Sequence, residues 1–233
     1  MTCLVYCIAN TVVPSPLDQA RTIVTEQNYS SMRTAMVESQ LRTSDVDDQR
    51  VIAAMAKVPR EAYVPAERRS MAYVDRPIPL AGGRALNPPL VTGRLLTEAQ
   101  IAPGDKVLLI GAATGYAAAL LVDMGAVVTA VEEEGVLEIA VPGITVVRGA
   151  LNAGAADGAP YDVLFIDGAV EEVPATLVQQ LAEDARVVTG VADRGVTRLS
   201  SGRVVAGALG LNSLVDIEMV VLPGFGAPKA FVF

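Results

Sequence analysis

The 233-residue sequence contains no histidine and only two cysteines. Without histidine the chain cannot form a Ser-His-Asp triad or any metal site that uses imidazole, and we predict no metal site. Both cysteines, Cys3 and Cys7, lie close to the N-terminus, so they cannot form a disulfide framework, and a reducing, cytoplasmic location is expected. The apolar opening is interrupted at Asn10 and Pro14, short of the ~18 residues of a membrane helix. We therefore predict neither a signal peptide nor a membrane span.

Basic residues are also scarce, since 18 Lys and Arg face 26 Asp and Glu, giving a formal charge of −8. That sign opposes general attraction to phosphates or anionic lipid, so neither nucleic acid nor a membrane is an expected partner. Apolar residues are abundant instead: 52% of the chain is hydrophobic and only 19% is charged, which supplies a buried core and excludes a disordered protein. The length corresponds to one large domain, or to one domain with an appendage. Nothing in the sequence indicates the oligomeric state.

The domain organisation follows from where regular patterns begin. Residues 1–31 have no clear period and are interpreted as an N-terminal appendage to one domain over residues 32–233. In residues 32–100 we expect two helices, the second over residues 51–58 with Asp45 or Asp47 as its cap. A segment rich in proline and glycine, Ala72 to Pro89, follows them, and loops of this length are often functional.

Residues 101–233 alternate between short apolar runs and helical patterns, which predicts a doubly wound, mostly parallel α/β sheet of the Rossmann-like type. The chain closes with strands separated only by turns, so antiparallel strands are expected at one edge. The predicted parallel strands are 106–110, 127–131, 144–147, 161–166 and 186–191, the helices 116–124 and 173–181, and the antiparallel strands 203–209, 215–221 and 230–233.

The turn after the first parallel strand and the acid that ends the second form the candidate ligand site. Ligands of open parallel sheets bind at the carboxyl ends of strands, and Gly111 and Gly115 would let the backbone approach one closely. Glu132 follows Gly111 by about 20 residues, the spacing at which a carboxylate binds ribose hydroxyls. Glu132 could instead supply charge to the first turn of the next helix, with Glu133 and Glu134; we favour ribose contact for Glu132 and the helix-charge role for Glu133 and Glu134.

Two related positions are interpreted conservatively. An NAD fingerprint would require glycine where Ala113 and Tyr116 stand, which disfavours a reductase. Asp167, which follows a predicted strand, is interpreted as a structural turn residue rather than as a ligand contact.

The run from Met36 to about Val191 resembles the protein-L-isoaspartate O-methyltransferase family. The matching stretches are Gln40-Leu41-Arg42, Val58-Pro59-Arg60-Glu61, Ala72-Tyr73-Val74-Asp75, Pro103 to Val107 and Gly111 to Tyr116. The resemblance implies a class I methyltransferase fold, S-adenosylmethionine as cofactor, and a damaged protein or peptide as partner. The implied reaction is methyl transfer to the α-carboxylate of an L-isoaspartyl residue. That carboxylate is ionised at neutral pH, so the reaction requires no general base and suits a chain without histidine.

The resemblance also assigns site residues. Asn87 stands at the position of the family's catalytic serine and Arg84 at that of a glutamine in the same loop; Arg84 could bind a substrate carboxylate or be a solvated loop residue. The implied cofactor-binding positions are Gly111, Ala112, Ala113, Gly115, Glu132 and Ala150.

Four positions depart from the family pattern: Leu109 and Ala150 replace acids, Ala113 replaces a glycine, and Asn87 replaces the serine. Two hypotheses therefore stay open. The chain is either a carboxyl methyltransferase or a catalytically silent binding or scaffold protein that keeps the fold.

Overall fold

The computed structural model describes residues 28–135 and 138–226. Most of the predicted appendage, and the strand predicted at 230–233, lie outside the described residues. The division into an appendage and one domain stays a prediction.

The described residues form nine strands in two sheets. A two-stranded antiparallel pair precedes a seven-stranded sheet of order β5-β4-β3-β6-β7-β8-β9. The strands are β1 (Ile78–Pro79), β2 (Ala85–Leu86), β3 (Lys106–Ile110), β4 (Val127–Glu132), β5 (Thr145–Arg148), β6 (Tyr161–Val170), β7 (Leu181–Asp193), β8 (Val196–Val205) and β9 (Ala208–Asp216). Strands β3 to β7 pair in parallel, and β8 and β9 add an antiparallel edge. The predicted fold class is confirmed.

The helices are α1 (28–36, followed by a π-helical turn, Val37–Leu41), α2 (Gln49–Lys57), α3 (Pro89–Ala99), α4 (Tyr116–Asp123) and the one-turn α5 (Ala175–Val178). Helices α1 to α4 pack on one face of this sheet, and the short α5 packs on the other. Asp48 caps α2 by accepting a hydrogen bond from the Arg50 amide at 2.8 Å, so the expected caps Asp45 and Asp47 are wrong. In the described residues, no helix is both long and apolar enough to cross a membrane.

The closing hairpin differs from its predicted strands. Ala206 and Gly207 both have positive φ, 51° and 74°, and form the two-residue turn between β8 and β9. Such a turn matches the twist of the flanking strands. The predicted strand 203–209 ran through this turn because apolar residues flank it closely, which concealed the turn in the hydrophobic pattern. The predicted helix 173–181 is likewise only the four residues of α5.

Two apolar clusters lie on the two faces of the large sheet. One includes Leu109, Leu95 and Met55 and joins the sheet to the N-terminal helices; the other includes Ile110, Leu177 and Leu222. Leu222 comes from the segment after β9, which returns to the sheet where the Leu222 amide donates to the Ala169 carbonyl at 2.8 Å. The C-terminal segment is thereby brought to the end of β3, beside the turn that follows that strand.

Candidate active site

The turn at residues 111–115 and the acid at the end of β4 lie in direct contact. Gly111 and Gly115 both adopt positive φ, 76° and 96°, which allows the chain to leave β3 and enter α4 sharply. Between them the amide of Ala113 donates a hydrogen bond to Glu132 Oε2 at 2.7 Å. The two parts that the sequence placed at one edge of the sheet therefore meet. Ala113 holds a left-handed φ of 51°, a conformation that glycine adopts at lower cost.

The Glu132 carboxylate is fully buried and is bound by an arginine of the same chain. Arg84 donates from Nε to Glu132 Oε1 at 3.1 Å and from Nη2 to Oε2 at 3.0 Å, a bidentate pair in which Arg84 is 2% exposed and Glu132 is 0% exposed. The Glu133 amide donates to Oε1 at 3.1 Å. The interpretation of Arg84 as a solvated loop residue is wrong, because the loop folds inward over the strand ends.

The described residues between Glu132 and β5 form no helix. Residues 133–135 and 138–144, on either side of two undescribed positions, form turns and extended chain before β5. The alternative in which Glu132, Glu133 and Glu134 supply charge to the first turn of a helix is therefore wrong for these described residues.

The turn and Glu132 provide groups of the kind that bind a nucleoside. In this structure, however, donors of the same chain occupy the acceptor positions of Glu132. A buried carboxylate at a strand end is the acceptor that two adjacent sugar hydroxyls require. However, a carboxylate offers about four acceptor positions, and four donors already fill those of Glu132.

Side chains from other parts of the chain also pack against the two glycines of the turn. A Cβ atom on Gly111 would lie 2.9 Å from Leu222 Cδ1, and one on Gly115 would lie 2.7 Å from Val141 Cγ2. A partly open cavity of about 380 Å³ adjoins the turn, with Tyr63 and Thr114 in its lining. A bulky ligand at the turn therefore requires side chains to move from these two glycines.

The remaining predicted cofactor positions lie around the same edge. Ala112 is fully buried, whereas Ala150 is exposed just after β5. The Gly149 amide donates to the Glu132 carbonyl at 3.1 Å, which places residues 149 and 150 beside that acid's backbone. Leu109 is fully buried in the core, at the position of an acid in the family pattern.

Asn87 lies buried directly after β2, and both ends of its amide are bound within the chain. Its Nδ2 donates to Asp167 Oδ1 at 2.8 Å, and its Oδ1 accepts a hydrogen bond from the Val220 amide at 2.9 Å. The side chain thus joins the loop to β6 and to the C-terminal segment. These bonds use one of the two Nδ2 hydrogens and fix the orientation of the amide group.

Asp167 is not a turn residue, so that interpretation is wrong: β6 continues through it to Val170. Burial raises the pKa of its carboxyl group, while the hydrogen bond from Asn87 and the charge of Arg60 act in the opposite direction. The strand extends to Val170 because Ala169 and Val170 pair with β7, and the Ala169 amide also donates to the Val220 carbonyl of the C-terminal segment at 2.7 Å. A sequence pattern shows no such long-range partner.

Arg60 is fully buried beside Asn87, and its burial was not predicted from the sequence. Its guanidinium lies 4.7 Å from the Tyr116 ring centroid, and its Nη2 donates to the main-chain carbonyl of Asn87 at 2.5 Å. Burial lowers the pKa of Arg60 and raises that of Tyr116 to about 12. The signal that could have identified it is a charged residue directly after Val58-Pro59, where an amphipathic helix ends.

Comparison with known proteins identifies the family. The family model described as protein-L-isoaspartate(D-aspartate) O-methyltransferase matches residues 31–202. The chain belongs to the protein-L-isoaspartate O-methyltransferase family. The family recognised from the sequence motifs is confirmed, and with it the enzyme class and S-adenosylmethionine as the family's cofactor.

Individual relatives agree with this assignment. A protein-L-isoaspartate O-methyltransferase of Koribacter versatilis is 38% identical over 201 residues, covering 82% of this chain and 90% of the relative. One from Methanoculleus marisnigri is 37% identical over 171 residues, covering 70% of this chain and 78% of the relative.

Two solved structures share the fold. A protein-L-isoaspartate O-methyltransferase superposes with a TM-score of 0.72 at 24% identity, over 82% of this chain and 66% of that one. A putative Plasmodium falciparum enzyme of the same name, in complex with S-adenosyl-L-homocysteine, gives 0.69 at 16% identity, over 83% and 97% of the two chains.

Proposed function

We propose that this protein transfers the methyl group of S-adenosylmethionine to the α-carboxylate of L-isoaspartyl residues in proteins or peptides. The observation that carries the proposal is the placement of Glu132. In a chain of this family, a fully buried carboxylate ends β4 and is held against the turn at residues 111–115 by the Ala113 amide. This is the arrangement that binds adjacent hydroxyls of a nucleoside.

The chemistry suits the residues that are present. When bound, the cofactor supplies an electrophilic methyl group, and the acceptor carboxylate, whose pKa is near ~4, is already ionised at neutral pH. The chain therefore needs to bind, orient and exclude water rather than remove a proton. The loop that carries Arg84 and Asn87 closes over the ends of β3 and β4, where both side chains are buried.

The individual roles belong to the same proposal. Arg84 would bind the acceptor carboxylate through a bidentate hydrogen bond, and Asn87 would hold the substrate loop in position. The cofactor-contact positions are Gly111, Ala112, Ala113, Gly115, Glu132 and Ala150. Cytoplasmic location stays a prediction from the cysteine content.

One observation favours the alternative of a silent binding or scaffold protein. The Glu132 carboxylate has no free acceptor position in this arrangement, because four donors of the chain occupy it. A protein that does not bind a nucleoside would have no need to separate Arg84 from Glu132.

Transfer of a labelled methyl group to an isoaspartyl peptide tests the proposal, with the same peptide containing ordinary aspartate as the control substrate. We expect labelling of the isoaspartyl peptide only, and its loss in Glu132→Ala. Glu133→Ala is the matched control and should retain turnover. Absence of both turnover and S-adenosylhomocysteine binding in the wild-type protein would support the scaffold alternative.

A further inference from the structure

We propose that Arg84 competes with the cofactor's ribose for Glu132, and that cofactor binding thereby frees Arg84 to bind the acceptor carboxylate. The proposal rests on the proposed function and adds an order to it: cofactor first, methyl acceptor second. It follows from the bonds that Glu132 makes in this structure.

The hydrogen bonds of Glu132 divide into two pairs. Two come from the backbone amides of Ala113 and Glu133, which belong to the turn and to the strand end and are fixed by the fold. The other two come from one side chain, Arg84. Two adjacent ribose hydroxyls offer two donors, the number that Arg84 supplies. The sugar can therefore replace the guanidinium without leaving the buried carboxylate short of partners.

Space gives a second reason for competition. A Cβ atom on Gly111 would lie 3.2 Å from Arg84 Nη2, so the guanidinium covers the backbone face of the first glycine in the turn. A ligand that approaches this backbone closely therefore meets Arg84 before it reaches Glu132. The guanidinium and a nucleoside cannot occupy this position together.

The loop that carries Arg84 has features that would let Arg84 move away from Glu132. It connects β1 and β2, which have only two residues each, and residues 81–83 in it are exposed. Gly82 and Gly83, directly before Arg84, both have positive φ, 63° and 72°. The tip of this hairpin is exposed, and its two glycines allow the chain there to change direction.

Moving Arg84 away from Glu132 makes its positive charge available to the methyl acceptor. While Arg84 is paired with Glu132, its charge is neutralised and its donors Nε and Nη2 are occupied. Once displaced, the same planar group can bind a second carboxylate in bidentate geometry. The acceptor is a carboxylate, so the cation required for its binding becomes available only after the cofactor site is filled.

Calorimetric titration with S-adenosylhomocysteine tests the competition in Arg84→Gln, which installs the residue that resemblance assigns to this position. We expect Arg84→Gln to bind the ligand at least tenfold more tightly than the wild-type protein. Arg198→Gln is the matched control, since Arg198 forms an exposed pair with Asp216, and its affinity should equal that of the wild type. Equal affinity in wild type and Arg84→Gln would overturn the competition while leaving the proposed function intact. Failure of both to bind the ligand would overturn the competition and the proposed function together.

A measurement on the wild-type protein covers the case in which Arg84→Gln does not fold. In a nitrogen-15 NMR spectrum of arginine side chains, the Arg84 Nε–H should be protected from solvent exchange without ligand and lose that protection at saturating S-adenosylhomocysteine. An unchanged, protected Arg84 signal at saturation would overturn the proposal. Arg84→Lys assigns the signal.

The order of binding has its own readout. An isoaspartyl peptide should bind the wild-type protein at least tenfold more tightly when S-adenosylhomocysteine is saturating than when it is absent. Equal peptide affinity in the two conditions would overturn the release of Arg84 to the acceptor.

Discussion

Replacing Arg84 by methionine should destabilise the protein by several kilocalories per mole. The Arg84–Glu132 pair is 2% and 0% exposed and has two hydrogen bonds of 3.1 and 3.0 Å. Removing one partner of a buried pair leaves an uncompensated charge and costs about 3–5 kcal/mol. We expect the lower end, about 3 kcal/mol, because two backbone amides still donate to Glu132. A domain has a total stability of about 5–15 kcal/mol, so the change is large.

Urea unfolding followed by circular dichroism measures this difference. Arg198→Met is the matched control, because the Arg198–Asp216 pair is 37% and 68% exposed and should contribute less than about 1 kcal/mol. Combining Arg84→Met with Glu132→Gln removes the buried charge along with its partner, and we expect the double variant to be more stable than Arg84→Met alone. A loss of less than about 1 kcal/mol in Arg84→Met would refute the reasoning, because it would place this pair with surface pairs.

Three further predictions concern the same edge of the sheet. Asn87→Ala removes the hydrogen bond to Asp167 and should cost about 2–3 kcal/mol in urea unfolding, since a buried charged group loses its donor; a loss below about 0.5 kcal/mol would contradict this. Gly111→Ala should cost at least about 1 kcal/mol more than Gly104→Ala, because both have positive φ but only Gly111 faces Leu222, at 2.9 Å from the added Cβ; equal losses would be inconsistent with that contact. Because burial raises the folded-state pKa of Asp167, ionisation destabilises the native state, so wild-type stability relative to Asp167→Asn should rise as the pH falls from 7 towards about 4. Thermal unfolding across that pH range measures the difference, and a constant difference would argue against the raised pKa.

Most of the fold could be predicted from the sequence because its determinants are local. The apolar runs that became β3 and β4, and the helix that became α4, are continuous in the chain and bounded by glycine or a charged residue. The predicted strands at the β8–β9 hairpin have the wrong bounds. The turn of this hairpin at Ala206 and Gly207 depends on backbone angles, and apolar neighbours conceal it in the hydrophobic pattern.

The amino-acid sequence by itself determined which residues could carry chemistry: a glycine turn, an acid about 20 residues later, and a loop in which Arg84 and Asn87 replace the residues expected from resemblance. The tertiary structure alone decided what those side chains contact. Arg84 and Glu132 are 48 residues apart, and Asn87 and Val220 are 133 apart, yet each pair is hydrogen-bonded. Such partners depend on how the loop, the sheet edge and the C-terminal segment pack together. Hydrophobic periodicity indicates burial along one element, but it does not record which distant donor satisfies a buried carboxylate or amide.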